Sequence, residues 1–346
     1  MLAFLCLPGV IIVGRVQRGG SNLTAQVDPN GPRLVITPSN PAPEGVRVGY
    51  LETVDRVRLR YAIWPKSAGP HRGTVCLVQG RTEYIEKYFE TIADFQARGF
   101  AVATFDWRGQ GGSQRLIGNP TLGYVDHFDD YWSDLRSFHA KILLPDCPGP
   151  YYLVGHSMGG LASLFAATRD RMMFDRVFLS APMVSLHNME HAIARTARLA
   201  ELASFVGLGR LPYARRGDQR PTEAGFANNP LTSDPVRYMR MVETIKADDG
   251  LYIGSPTFRW LGAAMRAMVE AGKDSFPTRM QIPLLILGAA RDEIVSTPAI
   301  EKLGLRLRNG RHMIIAGARH ELFMENDAIR GQVLAAFDAF ITEQTR

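Results

Sequence analysis

One serine in this chain lies in a sequence context that could make its hydroxyl reactive. Ser157 is flanked by Gly155 and Gly159 in the run Gly-His-Ser-Met-Gly-Gly. The apolar residues 151–154 predict a short buried strand, and residues 161–167 predict a helix, so the serine lies in the turn between them. Glycine on both sides relieves steric clashes in so tight a turn. The pattern predicts a nucleophilic serine that stands exposed above a sheet.

A serine hydroxyl is a weak nucleophile at neutral pH, so it needs a base that a third group holds in place. Asp292 follows a predicted strand at 283–288, and His320 follows another at 313–316. The carboxyl ends of parallel strands meet at one edge of a sheet, which would bring both side chains near Ser157. We therefore predict His320 as the base and Asp292 as the acid that orients it. Glu293 is the rival acid.

Negative charge that develops on a substrate carbonyl needs hydrogen-bond donors. The backbone N–H of Met158 is one expected donor, because this residue directly follows the nucleophile. The second donor is expected in the loop after the predicted strand 74–79. We assign it to the backbone N–H of Arg81, with Gly80 keeping the approach open.

A competing pattern is formed by His187, Glu190 and His191, which match H-x-x-E-H. Two histidines one helical turn apart could bind zinc beside a glutamate base. The sequence points to no third ligand, and the segment follows a predicted strand where polar helix-surface residues are common. It stays a remote alternative, a zinc protease, and no metal or cofactor is expected.

The totals are those of an ordinary globular protein. The 346 residues allow one large α/β domain with an insertion or two smaller domains. The net charge of +6 is mild, and no basic run interleaved with aromatics suggests nucleic acid. Cys6, Cys76 and Cys147 form no C-x-x-C pair, which favours a reducing compartment and predicts a cytoplasmic location.

The apolar residues 1–14 are too few to span a membrane, and Pro8 and Gly9 interrupt them. They also lack the basic start of a secretory signal. We expect residues 1–44 to form a tail and linker, with a weak membrane-surface anchor as the alternative.

Apolar runs and helical periodicities alternate along most of the remaining chain. Residues 46–52 and 57–64 predict an antiparallel hairpin. Continuous apolar runs predict strands buried on both faces, at 74–79, 101–105, 151–154, 176–180, 283–288 and 313–316. Helical periodicities occur at 84–98, 128–144, 158–169 and 328–344. This alternation predicts a mostly parallel, doubly wound α/β sheet.

The alternation is interrupted between 184 and 281, where 193–206 and 258–269 are amphipathic at helical spacing. We predict a helical cap over 184–281, inserted into a core formed by 45–183 and 282–346.

Four segments resemble the serine α/β-hydrolases of the lysophospholipase and monoacylglycerol lipase group. They are residues 80–84, the run 106–113 (Asp-Trp-Arg-Gly-Gln-Gly-Gly-Ser), residues 155–160, and the loops of Asp292 and His320. Residues 229–235 also resemble the cap of that group. Two positions depart from the family pattern: Gln79 stands where histidine is usual, and Asp55-Arg56 replaces a common Asp-Gly turn.

The resemblance implies the α/β-hydrolase fold and hydrolysis of a single-chain fatty-acyl ester through an acyl-serine, without a cofactor. The first expectation is a lysophospholipase, which hydrolyses a lysophospholipid. A monoacylglycerol lipase or a general carboxylesterase is the alternative, and a non-catalytic ligand-binding relative is a remote alternative. The cap arginines 210, 215, 216 and 220 could meet a phosphate or an anionic bilayer, although such clusters are more often solvated loops. The expected partners are thus a small lipid ester and, peripherally, the inner membrane.

Overall fold

The structure is a computed structural model that describes residues 4–7, 10–13, 31–66, 69–213 and 220–343. Most of the expected N-terminal tail, together with Arg215 and Arg216 of the cap, lies outside the described residues. Within that tail, two short strands pair as a hairpin, and the second of them pairs with a strand at Leu34–Val35.

The main sheet has eight strands, which confirms the predicted α/β-hydrolase architecture. The strands of the described chain are β1 Phe4–Leu7, β2 Val10–Val13, β3 Leu34–Val35, β4 Arg47–Glu52, β5 Arg58–Trp64, β6 Thr74–Val78, β7 Ala101–Phe105, β8 Tyr151–His156, β9 Arg176–Ser180, β10 Leu284–Ala289 and β11 Gly310–Ile315. Their order across the main sheet is β11-β10-β9-β8-β6-β7-β5-β4. The six strands from β11 to β7 are parallel, and the hairpin β4–β5 joins their edge in antiparallel orientation.

Helices cover the sheet and form the insertion. They are α1 Phe89–Ala97, α2 Asp129–Phe138, α3 Leu144–Asp146, α4 Ser157–Arg169, α5 Ile193–Ala203, α6 Pro235–Ala247, α7 Phe258–Ala271, α8 Thr297–Gly304 and α9 Asp327–Thr342. A 3-10 turn at Ile85–Tyr88 precedes α1, and a π-helical turn at Ser204–Leu208 follows α5. Every residue of β6 and β7 is buried, as expected for strands covered on both faces.

The loop that follows β7 is anchored by a buried ion cluster. Arg60 donates to Asp106 over 2.6 Å and to both carboxylate oxygens of Glu86 over 2.7 and 2.8 Å. Asp106 also accepts the backbone N–H groups of Ile85 and Gly112. These bonds fix residues 106–113 against the 3-10 turn that precedes α1, beside the loop that follows β6.

The turn that departs from the family pattern is nevertheless formed. Arg56 adopts a positive φ of 63°, the conformation that glycine would take more easily. The Asp55 carboxylate pairs with Arg108 over 2.7 Å. The Asp55-Arg56 sequence therefore leaves the hairpin intact.

The inserted region contains a helix that the sequence analysis did not predict, α6. Arg237 and Arg240 on this helix both bind Glu90 of α1, over 2.7 and 2.6 Å. Arg237 also pairs with Asp327 at the start of α9. These ion pairs fasten α6 to the core, whereas α5 and α7 pack mainly on each other.

Candidate active site

Ser157 occupies the turn between β8 and α4 with a positive φ of 50°. The packing around it explains the two flanking glycines. A Cβ atom on Gly155 would lie 2.5 Å from the Ser163 hydroxyl, and one on Gly159 would lie 2.4 Å from the Gln79 carbonyl oxygen. Neither position has room for a side chain, so the two glycines permit this strained turn. Ser157 itself is buried, and not exposed as the sequence predicted, because the cap covers the cavity above it.

Three distant side chains meet at this turn. Ser157 Oγ lies 3.0 Å from His320 Nε2, and His320 Nδ1 lies 2.8 Å from Asp292 Oδ2. Asp292 follows β10 and His320 follows β11, the placements that the sequence predicted. The rival acid, Glu293, is exposed and does not join the chain of hydrogen bonds. This geometry allows the imidazole to receive the serine proton.

The Asp292 carboxyl is held as a carboxylate. Burial by itself raises the pKa of Asp292. Hydrogen bonds from His320 and from the backbone N–H groups of Ile294 and Val295 lower the pKa by more than burial raises it, so the net shift is downward. A carboxylate only accepts hydrogen bonds, so His320 Nδ1 must carry the proton. The Nε2 atom is then free to accept the proton of Ser157.

The loop after β6 lines the same cavity as Ser157 through Gly80, Arg81 and Thr82. The backbone N–H groups on either side of Arg81 already have acceptors. The Gly80 N–H donates to the Glu83 carboxylate, and the Thr82 N–H donates to Gln110 Oε1 over 2.9 Å. No hydrogen bond within the described chain occupies the Arg81 N–H. The Met158 N–H lies in the first turn of α4, where N–H groups lack helical partners. Both N–H groups can therefore serve an oxyanion.

The unusual Gln79 is accommodated beside this loop. Its Nε2 donates to Thr104 Oγ1 over 3.0 Å, and its backbone oxygen accepts from Trp107 Nε1 over 2.8 Å. The residue supports the loop through neutral hydrogen bonds in place of a histidine.

A buried charged cluster beneath the loop was missed by the sequence analysis. Lys87 Nζ lies 2.9 Å from Glu83 Oε1 and 2.5 Å from Glu321 Oε1. Tyr88 donates to the second oxygen of Glu83 over 2.7 Å. Burial alone raises the pKa of Glu83, but Lys87 and the hydrogen bonds lower it overall. The cluster connects the oxyanion loop to the residue that follows His320.

His156 lies against His320, with ring centroids 4.9 Å apart. Its Nδ1 lies 3.1 Å from the Ser180 carbonyl oxygen. Burial lowers the pKa of His156 to about 4, which keeps this second imidazole neutral at physiological pH. A neutral neighbour does not repel the positive charge that His320 gains when it takes a proton.

A cavity of about 440 Å³ opens over Ser157. One face of α7 supplies much of its wall through Trp260, Leu261, Ala264, Met265 and Met268. Further apolar lining comes from Met183, Leu186, Met189, Leu231 and Ile294. Its volume and apolar lining are typical of small-molecule sites.

The H-x-x-E-H pattern does not form a helical zinc site. His187, Glu190 and His191 lie in turns before α5, which begins only at Ile193. Among the residues that the structure describes, no three His, Cys, Asp or Glu side chains group as metal ligands. The zinc-protease alternative required His187 and His191 to lie one turn apart on a helix, and that prediction is wrong.

The sheet, the turn that carries Ser157 and the hydrogen-bonded histidine define a serine hydrolase of the α/β-hydrolase class. The same fold occurs in a soluble variant of monoglyceride lipase from Saccharomyces cerevisiae, with a TM-score of 0.69 and 21% identity over 86% of this chain and 96% of that one.

The chain belongs to the hydrolase family described as "Serine aminopeptidase, S33", whose model matches residues 69–327. Its curated relatives include lysophospholipase L2 of Escherichia coli K12, which is 32% identical over 83% of this chain and 85% of the relative. A probable lysophospholipase L2 of Haemophilus influenzae is 30% identical over 86% of this chain and 92% of the relative. The enzyme is therefore an ester hydrolase.

Proposed function

We propose that this enzyme is a lysophospholipase that works through an acyl-serine intermediate. The observation that carries the proposal is the hydrogen-bonded chain from Ser157 through His320 to Asp292 at the base of an apolar cavity. Two relatives that match most of the chain are named lysophospholipase L2, which supports the substrate class.

In the first half-reaction, Ser157 Oγ attacks the ester carbonyl carbon while His320 Nε2 takes the hydroxyl proton. The Asp292 carboxylate stabilises the imidazolium and keeps it aligned. The carbonyl oxygen becomes an oxyanion and accepts hydrogen bonds from the N–H groups of Met158 and Arg81. When the tetrahedral intermediate collapses, the C–O bond to the glycerol breaks and His320 returns the proton to the leaving alcohol.

In the second half-reaction, water takes the place of the alcohol. His320 removes a proton from the water, and the resulting hydroxide attacks the acyl-serine carbonyl. Collapse of this second tetrahedral intermediate breaks the bond to Ser157 and returns the proton to its oxygen. The products are a fatty acid and the free enzyme, and no metal or cofactor takes part in either half-reaction.

The cavity fits an acyl chain better than the amino terminus of a peptide. An aminopeptidase site needs a carboxylate that can receive an ammonium group. Among the described residues that line this cavity, the carboxylates are Glu83 and Glu321, and both already bind Lys87. The wall formed by α7 is apolar and suits a single alkyl chain.

A substrate panel tests this proposal. We expect kcat/KM to be highest for lysophosphatidylcholine, lower for a monoacylglycerol of the same chain, and lowest for an aminoacyl p-nitroanilide. The Ser157→Ala variant supplies the background rate for each substrate. Exclusive cleavage of a short ester such as p-nitrophenyl butyrate would show that the proposed substrate class is wrong.

We also propose that the cap contacts a lipid surface. Apolar side chains from the end of α5 onward are exposed rather than packed: Leu199, Leu202, Phe205, Val206, Leu208 and Leu211. We call these six residues the cap patch. Exposed arginines at 195, 198 and 210 accompany it, as expected for a surface that meets anionic headgroups. In the part of the chain that the structure describes, no helix is long and apolar enough to cross a bilayer.

Replacing Phe205 by aspartate should weaken binding to vesicles of phosphatidylcholine and phosphatidylglycerol by roughly tenfold or more, since burying one such side chain is worth about 1.5–3 kcal/mol. Phe205 is 89% exposed. Met172, which is 84% exposed in the loop before β9, provides the matched control, Met172→Asp. Co-sedimentation measures both. Equal partitioning of Phe205→Asp and the unmodified enzyme would contradict the role of the cap patch.

A further inference from the structure

A cation in the cavity lacks an ionic partner. Of the described residues that line the cavity, two carry an ammonium or guanidinium group, Lys87 and Arg81. Lys87 is paired with both Glu83 and Glu321. Arg81 forms no ion pair with any carboxylate of the described chain. The side chain therefore brings a positive charge, with no carboxylate at ion-pair distance, to the wall of the cavity that also contains Ser157.

The contacts of Arg81 hold its guanidinium in place without neutralising it. Its Nη2 donates to the Gly254 carbonyl oxygen, and its Cζ lies 4.9 Å from the centre of the Trp260 ring. Its Nε is buried and has no hydrogen-bond partner. Burial lowers the pKa of Arg81 to about 10, so the group still carries its charge at neutral pH.

The buried arginines of the described residues are paired: Arg60 binds Glu86 and Asp106, Arg108 binds Asp55 and Asp134, and Arg330 binds Asp94. The half-buried Arg115 and Arg319 donate to backbone carbonyl groups as Arg81 does, but neither of them lines the cavity.

A partly buried charge without a partner is costly, and a free donor beside it adds to that cost. The pattern is explained if an anion completes the site when substrate is bound. A guanidinium held over an aromatic ring is well suited to phosphate, which it can bind through two parallel hydrogen bonds.

We propose that the Arg81 side chain binds the phosphate of the lysophospholipid headgroup while the acyl chain lies along α7. This inference rests on the proposed function. The backbone N–H of Arg81 would hold the ester oxygen, and its side chain would reach across the glycerol that separates ester from phosphate. One residue would thus set the position of both groups, and a neutral glyceride would forgo the second contact.

Two variants of Arg81 test this proposal, since both keep the backbone N–H. The measured quantity is the kcat/KM for lysophosphatidylcholine divided by the kcat/KM for monoacylglycerol. We expect Arg81→Met to lower this ratio by roughly 10- to 100-fold, because that is the effect of losing a hydrogen bond to a charged group. Arg81→Lys should recover part of the ratio. Arg115→Met is the matched control, because Arg115 also donates to a backbone carbonyl of the neighbouring segment, at Gly250, but does not line the cavity. Its ratio should stay within about twofold.

A second measurement separates this inference from the proposed function. Dodecylphosphocholine carries the phosphate but has no carboxylic ester, and it should inhibit hydrolysis of p-nitrophenyl butyrate. We expect its inhibition constant to rise roughly 10- to 100-fold in Arg81→Met, with a much smaller rise for 1-O-dodecylglycerol. This result would support the phosphate site even if lysophospholipids proved to be poor substrates. Equal losses for phosphate-bearing and neutral ligands would overturn it and leave Arg81 as a clamp between two loops.

Discussion

Replacing Ser157 by alanine is expected to lower kcat for lysophosphatidylcholine by roughly 10⁴- to 10⁶-fold, the loss seen when a nucleophilic serine is removed from a complete triad. The hydroxyl is the atom that would form the acyl bond, and His320 Nε2 lies 3.0 Å from it. The two N–H donors remain in the variant, so a small residual rate should persist above the uncatalysed reaction.

Ser163→Ala is the matched control for this experiment. Ser163 lies on the same helix and is buried, and its hydroxyl donates to the Gly159 carbonyl oxygen over 2.7 Å. We expect its kcat to change by less than about threefold. Circular dichroism and thermal unfolding of both variants show whether the fold is retained. A folded Ser157→Ala enzyme with more than about a tenth of the original kcat would contradict the proposed nucleophile.

The second large effect is expected for Asp292→Asn, which should lower kcat by roughly 10⁴-fold. An asparagine can donate its amide hydrogen to His320 Nδ1, and this favours the tautomer in which Nε2 carries the proton and cannot accept another. Asparagine keeps an oxygen for the N–H groups of Ile294 and Val295, so the loop should remain folded.

Glu293→Gln tests the rival acid beside it. Glu293 is exposed, and we expect this substitution to change kcat by less than about twofold. Steady-state kinetics of the two variants at the same pH separates the roles of the two acidic residues. A loss in Glu293→Gln that matched the loss in Asp292→Asn would contradict the assignment.

The meeting of Ser157, Asp292 and His320 could be predicted from the sequence because each follows a continuous apolar run. Such runs predict buried parallel strands, and parallel strands bring their carboxyl ends to one edge. The predicted ends of the strands are less accurate than their existence. Strand β8 runs two residues beyond the predicted end, up to His156, because the sheet continues as far as the turn itself.

Helix α6 was missed because its stability depends on distant charges. Its arginines bind Glu90 of α1, a partner about 150 positions away in the chain. The local signals were present: Asp234 caps the helix by accepting the Arg237 N–H, and Pro235 occupies the first position. A search for caps as well as apolar periodicity would have found this helix.

The Glu83, Lys87 and Glu321 cluster shows the limit of local patterns. Glu83 and Lys87 are four residues apart, a spacing that suggests a surface ion pair on a helix. Glu321 is 234 positions from Lys87, and only the fold brings it there. The unpaired guanidinium of Arg81 is likewise a property of the folded cavity, because a missing partner cannot be recognised until the neighbours are known.

The most direct test of the account is the site at which a fluorophosphonate probe reacts. The probe phosphonylates a serine only when a neighbouring base has activated it, so intact mass followed by peptide mapping reports both chemistry and position. We predict a single adduct, on Ser157, that is absent from Ser157→Ala and strongly slowed in Asp292→Asn. An unlabelled enzyme that still hydrolyses lysophosphatidylcholine, or an adduct on another residue, would contradict the catalytic assignment.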